Sequence, residues 1–167
     1  MSFQGIATYS ARAVGFAVIV SGLYWLIRHL QGKKTKFADV LAIAYLAAVT
    51  EIIALRFGSA QSSRMIRWIP MTTTLEEAKG GAWSLIYHVC GNLVWFVPMG
   101  ILVQWKKPKW RLLQIAAFDA AFSAVLETLQ FLLSTGMTDI DDVILNALGT
   151  AFGALIQKAV RRIKKDV

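Results

Sequence analysis

Five stretches, at about residues 10–30, 38–56, 84–104, 110–133 and 142–160, are each close to the ~20 mainly apolar residues that an α-helix needs to cross ~30 Å of hydrocarbon. A water-soluble domain of 167 residues buries one core and has no use for five such runs. The composition agrees: 56% of the residues are hydrophobic, and the mean hydropathy is +0.53. The expected architecture is therefore an all-α integral membrane protein, a single domain over 1–167 with about five transmembrane helices. The first stretch lacks the basic n-region and A-x-A-like site of a cleaved leader, and a short basic linker runs straight into the second, so it reads as a retained span.

The formal charge of +8 raises the question of nucleic acid, which the positions of the charges answer. Arg28, Lys33, Lys34 and Lys36 lie between the first two spans. Lys106, Lys107, Lys109 and Arg111 lie between the third and fourth. Lys158, Arg161, Arg162, Lys164 and Lys165 follow the fifth. With five spans these clusters share one side, which by the positive-inside rule is the cytoplasm. The N-terminus is then outside and the C-terminus inside. The basic excess reads as topology and attraction to anionic membrane lipids, with no nucleic-acid partner. Cys90 is the only cysteine, which excludes an internal disulfide, and its apolar neighbours suggest a packing role. The opposite side carries most of the ten acidic residues. There the long loop 57–83 brings Arg64, Arg67, Glu76, Glu77 and Lys79, and the short segment STGMTDIDD brings Asp139, Asp141 and Asp142.

An ionisable side chain at mid-bilayer costs about 2.5–3.5 kcal/mol on the insertion scale, so those inside spans face the bundle interior or a wet cavity. In the fourth span Asp119, Ser123, Glu127 and Gln130 recur at i, i+4, i+8 and i+11, one polar helical face with an apolar back. In the fifth, Asp142, Asn146, Gly149 and Gly153 repeat the design, and GTAFG is a small-xxx-small pattern that admits another helix closely. His88 and Asn92 share a face in the third. At ~1.5 Å per residue, Glu127, Gln130, His88, Asn92, Asn146 and Glu51 fall within about 12 Å of the outer ends of their helices. Periodicity thus suggests an outward-opening pocket of Asn92, Glu127, Gln130, Asp139, Asp142 and Asn146.

Structural readings stand beside that one. Asn92 and Asn146 suit interhelical hydrogen bonds of about 0.6 kcal/mol each. His88 suits a satisfied structural histidine, and Asp139 and Asp142 suit caps at the positive end of the fifth helix. D-x-D-D carries oxygen ligands of the kind Mg²⁺ takes, a weak signal, and no metal site is assigned. Pro98 removes a helix hydrogen bond and is expected to bend the third span. Arg64, Arg67 and Trp68 suit a loop at headgroup depth or folded over the pocket, its arginines paired with lipid phosphates or with the Asp139–Asp142 cluster. No nucleotide loop, H-E-x-x-H or G-x-S-x-G motif occurs, and no cofactor is expected.

Three elements in order, HVCGNLVWFVPMG at 88–100, ETLQ at 127–130 and DIDDVILNALGTAFG at 139–153, resemble the VanZ-like family of small bacterial membrane proteins. Asn92, Phe96, Pro98, Gly100, Glu127, Gln130, Asp139, Asp142, Asn146, Gly149 and Gly153 occupy the matching positions over roughly 64–155, and RWIPM resembles the family's proline-containing loop. Members usually carry an arginine just before the first aspartate of the last element. Here the place near Met137 has none, and Arg64 or Arg67 is the candidate substitute.

The resemblance implies a multi-pass protein of the bacterial cytoplasmic membrane, linked to resistance against glycopeptide antibiotics of the teicoplanin type. Two functional readings follow. In the first the pocket binds a membrane lipid, a lipid-linked cell-wall precursor or the antibiotic's acyl tail, and the protein is not an enzyme. In the second an intramembrane enzyme modifies a lipid head group or wall precursor, with Glu127 as general base, His88 or an aspartate as acid, and Asp139 and Asp142 positioning the substrate. The oligomeric state is left open by the sequence.

Overall fold

The structure, a computed structural model, describes residues 3–55 and 65–166, with side chains over 11–55 and 65–164; Arg64 and the side chain of Lys165 lie outside these. In chain order the elements are α1 (Phe3–Leu30), α2 (Phe37–Thr50) with a π-helical turn (Glu51–Leu55), β1 (Ile66–Arg67), α3 (Thr72–Gly80), α4 (Ala82–Lys106), α5 (Leu112–Leu133), β2 (Thr138–Asp139) and α6 (Ile140–Asp166). Five helices are long and apolar enough to cross a membrane: Ala11–Leu30, Phe37–Leu55, Ala82–Lys106, Leu112–Leu133 and Ile140–Lys164. The expected number of spans is therefore met.

The α1–α2 turn closes on Gly32, whose φ of +65° is the left-handed position that ends helices. Its N–H donates to the His29 carbonyl at 2.9 Å, and that of Lys33 to Arg28 at 3.0 Å. On α1 the small residues Ala13, Ala17 and Ser21 recur every four positions and form the buried stripe toward α2. Val14, Val18, Ile19 and Leu23 are exposed on other faces, as suits a helix bordered by lipid. A small apolar core of Val49, Ala54, Phe96, Met99 and Leu126 joins α2, α4 and α5.

α4 and α6 make the most extensive helix pair. Lipid tails are as apolar as leucine, so this pairing rests on close packing and hydrogen bonds and not on hydrophobic burial. Glycine supplies the closeness. A Cβ on Gly100 would lie 1.9 Å from the Thr150 carbonyl oxygen, one on Gly149 2.3 Å from that of Leu93, and one on Gly153 2.0 Å from that of Val97. Each is an overlap with backbone, so the glycines allow direct main-chain contact. α4 continues through Pro98 without interruption. Beside the proline, the carbonyl of Trp95 accepts the Tyr45 hydroxyl at 2.7 Å and that of Phe96 accepts the Thr150 hydroxyl at 3.2 Å. Hydroxyls from two other helices therefore bond the backbone near the proline.

The three basic clusters lie at one end. Lys106 at the foot of α4 pairs with Asp39 at the head of α2 at 2.7 Å, and Lys158, Arg161 and Arg162 gather beside Gln104 and Pro108. At the other end α3 packs on α4 and touches α6. A parallel ladder there pairs Ile66 with Thr138 and Arg67 with Asp139.

Gly100→Ala and Gly153→Ala are each expected to destabilise the bundle by about 1–3 kcal/mol, the usual range for overpacking. Gly22→Ala, where an added Cβ meets nothing within 4 Å, is expected to leave stability unchanged or raise it slightly. Thermal unfolding of the three purified variants in one detergent, followed by circular dichroism, compares them.

Candidate functional site

The acidic residues at the α3 end are distributed among three tasks. Asp139 precedes α6, and its Oδ1 accepts the Asp141 N–H at 2.9 Å, the bond of an N-cap. Its Oδ2 accepts the hydroxyl of Thr73. Asp141, 2% exposed, reaches away from its own helix to cap α3. It accepts the Thr74 N–H at 2.9 Å, the Thr74 hydroxyl at 3.0 Å and the Met71 N–H at 2.5 Å. Met71 sits at φ +67°, a conformation that costs a non-glycine residue about 1–3 kcal/mol unless its surroundings hold it. The carboxylate supplies that hold. Asp142 is the third, and its Oδ1 accepts the Asn92 amide at 2.7 Å and lies 4.0 Å from His88 Nδ1.

Glu127 and Gln130 serve the connection between α5 and α6. Glu127 Oε2 accepts the Asp139 N–H at 3.0 Å, Thr138 donates its hydroxyl to the Glu127 carbonyl at 3.1 Å, and Gln130 Nε2 donates to the Met137 carbonyl at 3.2 Å. Both side chains are buried, Glu127 at 3% exposure. Thr135 fixes the same turn to α2 by donating its hydroxyl to the Ala54 carbonyl at 2.6 Å. Deeper in the bundle Asn146 donates to Ser123 at 3.2 Å, an α6-to-α5 bond. Asp119 is fully buried beside Ser123, Thr150 and Tyr45.

The single pocket suggested by periodicity therefore divides. Asn92, Asp142 and His88 line an open cavity of about 390 Å³, together with Glu77, Ile52 and Ile53. Glu127, Gln130, Asp139 and Asn146 do not line it: Glu127 and Gln130 hold α5 to the segment before α6, Asp139 holds the start of α6 to α3, and Asn146 holds α6 to α5. A helical wheel assigns a face but not which neighbouring helix fills it, and here α6 fills the face of α5. The carboxylates of D-x-D-D diverge to different partners, and among the described residues no three His, Cys, Asp or Glu side chains converge as metal ligands.

Arg67 donates to Thr73 at 2.9 Å and pairs with Glu76 at 2.5 Å. Thr73 in turn donates to Asp139, so the arginine reaches the acidic cluster through a hydroxyl. Arg67 also stands opposite Asp139 in the ladder. Trp68 is 71% exposed, and Ile69, Met71, Leu75 and Trp83 join it in an apolar rim around α3. Sequence reasoning did not find α3 or the special part of Asp141. The TTT run after Pro70 was the available signal, because threonines with free N–H groups at a helix start call for an acceptor.

A second hollow adjoins the cavity. It has about 460 Å³, shares Tyr87, Gly91 and Trp95 with the first, and adds Trp83, Ile86 and Val94. Cys90 also lines it and is exposed. This corrects the packing role expected from its apolar neighbours: the residues beside it in sequence are apolar because they face lipid. His88 Nε2 is buried without a hydrogen-bond partner among the described residues.

Fold and site together define a multi-pass α-helical membrane protein with a small capping helix over a mixed polar and apolar cavity. The family described as VanZ/LLP1 matches residues 40–161, most of the chain, and the protein belongs to it. Neither the curated proteins nor the solved structures contain a significant match.

Asp141→Ala is expected to remove the cap of α3 and destabilise that helix by about 0.5–2 kcal/mol, the range for lost N-caps. Hydrogen exchange in detergent is the measurement. Faster exchange at residues 72–80 with α5 unchanged is the expected pattern, and unchanged protection at 72–80 contradicts the capping role.

Proposed function

We propose that the protein binds an amphiphile at the end of the bundle that carries α3, and that this end faces the outside of a bacterial cytoplasmic membrane. One observation carries the reading: the cavity holding His88, Asn92, Asp142 and Glu77 runs into a hollow walled by Trp83, Ile86, Val94 and Trp95 on the lipid side of α4. A ligand with a polar head and a hydrocarbon tail matches both parts, since the first supplies acceptors and the second offers only apolar contact. Two carboxylates favour a head rich in hydroxyl or ammonium donors. Sugars and amines of a lipoglycopeptide, with its acyl tail, meet that description, as do sugar-bearing lipids of the wall pathway. Membership of the VanZ/LLP1 family supports a part in resistance to teicoplanin-type antibiotics, by engaging the drug's tail or its membrane-bound target at the surface.

The orientation follows from charge. Three basic clusters gather at the end away from α3, and positive residues favour the cytoplasmic side. A C-terminal fusion to a reporter that fluoresces only in the cytoplasm is expected to be bright. A dark, fully expressed fusion reverses the assignment and ends the extracytoplasmic reading.

A second reading has its own observation. Asp142 lies 4.0 Å from His88 Nδ1 and is held by Asn92, an acid–imidazole pair in an open cavity, as general acid–base chemistry requires. In an enzyme His88 would then be the proton-transfer group, and Glu127, occupied by the Asp139 N–H, would support the scaffold.

The test uses cells expressing the protein and a fluorescent teicoplanin-type lipoglycopeptide. Asn92→Ala and Asp142→Asn are each expected to weaken surface binding about tenfold, equivalent to ~1.4 kcal/mol, while Leu113→Ala on the exposed side of α5 leaves it unchanged. Equal binding to expressing and non-expressing cells defeats the binding reading. Mass spectrometry of lipids and wall precursors from the same cells addresses the enzyme: a new species lost in His88→Ala supports it, and an identical profile removes it.

A further inference from the structure

At the basic end, where α6 contributes no wall, a separate hollow of about 340 Å³ opens between α1, α2, α4 and α5. Its walls are Tyr24 from α1, Ala42, Ile43 and Leu46 from α2, Met99, Leu102 and Val103 from α4, and Phe118 and Phe122 from α5. On α2 it extends from Asp39 to Leu46 and on α4 from Met99 to Lys106, in each case about 10 Å along the helix at ~1.5 Å per residue. The hollow therefore begins at the ends of the helices and penetrates toward mid-bilayer. Apart from Tyr24, its wall below the mouth is apolar.

Its mouth is different. Lys106, Lys107 and Trp110 stand there with Asp39. Lys106 is taken by Asp39 at 2.7 Å, which leaves the mouth one net positive charge, on Lys107. The Lys107 ammonium lies 5.9 Å from the Trp110 ring centre, and Trp110 in turn packs edge-on against Phe118 with centroids 6.0 Å apart. A tryptophan anchored at an apolar entrance is the usual marker of headgroup depth. Lys109 and Arg111 flank Trp110 in the chain and add to the positive potential.

We infer that this hollow is a binding site for one anionic glycerophospholipid of the leaflet at the basic end, with an acyl chain between α2, α4 and α5 and its phosphate at Lys107. The occupant follows from the medium and the charge. An apolar hollow facing hydrocarbon is filled by hydrocarbon, and an unneutralised ammonium at its mouth selects a chain that ends in a negative head. A zwitterionic lipid satisfies the apolar half only. The site is separate from the cavity near α3 and does not depend on what binds there.

The full-length protein, purified in mild detergent, is equilibrated with equimolar phosphatidylglycerol and phosphatidylcholine, and retained lipid is counted by native mass spectrometry. Wild type is expected to keep one lipid per chain with about a fivefold preference for phosphatidylglycerol, the contribution of one lysine beside an anionic head. Lys107→Glu abolishes the preference. Ile43→Trp fills the hollow and lowers retention of both lipids without altering charge. Equal retention of the two lipids by wild type overturns the inference whatever the variants do. Unchanged retention in folded Ile43→Trp overturns it too, since the preference would then come from surface charge alone.

Discussion

Main chain touches main chain where α4 crosses α6, and the arrangement of the remaining polar groups depends on that contact. Gly100, Gly149 and Gly153 remove the side chains that would otherwise hold the two helices apart. At that separation Thr150 reaches the Phe96 carbonyl and Asn92 reaches Asp142. In hydrocarbon no solvent-driven force pushes helices together, so close packing and these bonds carry the association. One further methyl group at the crossing would move Asp142 away from its amide partner and alter the cavity both help to line.

The acidic residues above this crossing show how a low-dielectric bundle accommodates carboxylates. A carboxylate accepting several N–H and hydroxyl donors is far less costly to bury than one left alone. Asp141 accepts three such donors, Asp139 accepts two, and Glu127 accepts the Asp139 N–H. Together they tie α3, the α5–α6 connection and the start of α6 into one cap. Asp142 retains 26% side-chain exposure and borders open space. Within the cluster it is the carboxylate that faces the cavity, while Asp139, Asp141 and Glu127 bond to the surrounding backbone and hydroxyls.

The sequence made some of this legible and not the rest, for physical reasons. Span number is a local property, since a run of apolar residues long enough to cross hydrocarbon is visible without knowing its neighbours. Facial spacing is also local: Asp119, Ser123, Glu127 and Gln130 were placed on one face by period alone, and all four are buried. Which helix lies against that face is decided by crossing geometry, which no single helix encodes. Glu127 and Gln130 were therefore grouped with Asn92, from which α6 and its preceding turn divert them. α3 is hidden in the sequence because nine mostly polar residues, too few to form a stable helix alone, take their stability from Asp141, seventy positions away. A two-residue parallel ladder likewise leaves no periodic trace. Cys90 was misread because apolar neighbours mean burial in a soluble protein, whereas in this one they border lipid.

The π-helical turn at Glu51–Leu55 has a consequence for how this chain tolerates change in length. Such a turn holds one residue more than regular winding would, and it leaves a carbonyl for an outside donor; here Ala54 receives the Thr135 hydroxyl. Deleting a single residue there would let α2 revert to uniform pitch, swinging everything on one side of the deletion by about 100° relative to the other. Glu51, now fully interior, and the Ala54–Thr135 tether could not both keep their places. The extra residue works as a phase adjuster at the last turn of the second span, so insertions and deletions should be far less welcome at this point than equal-sized changes in the basic linkers.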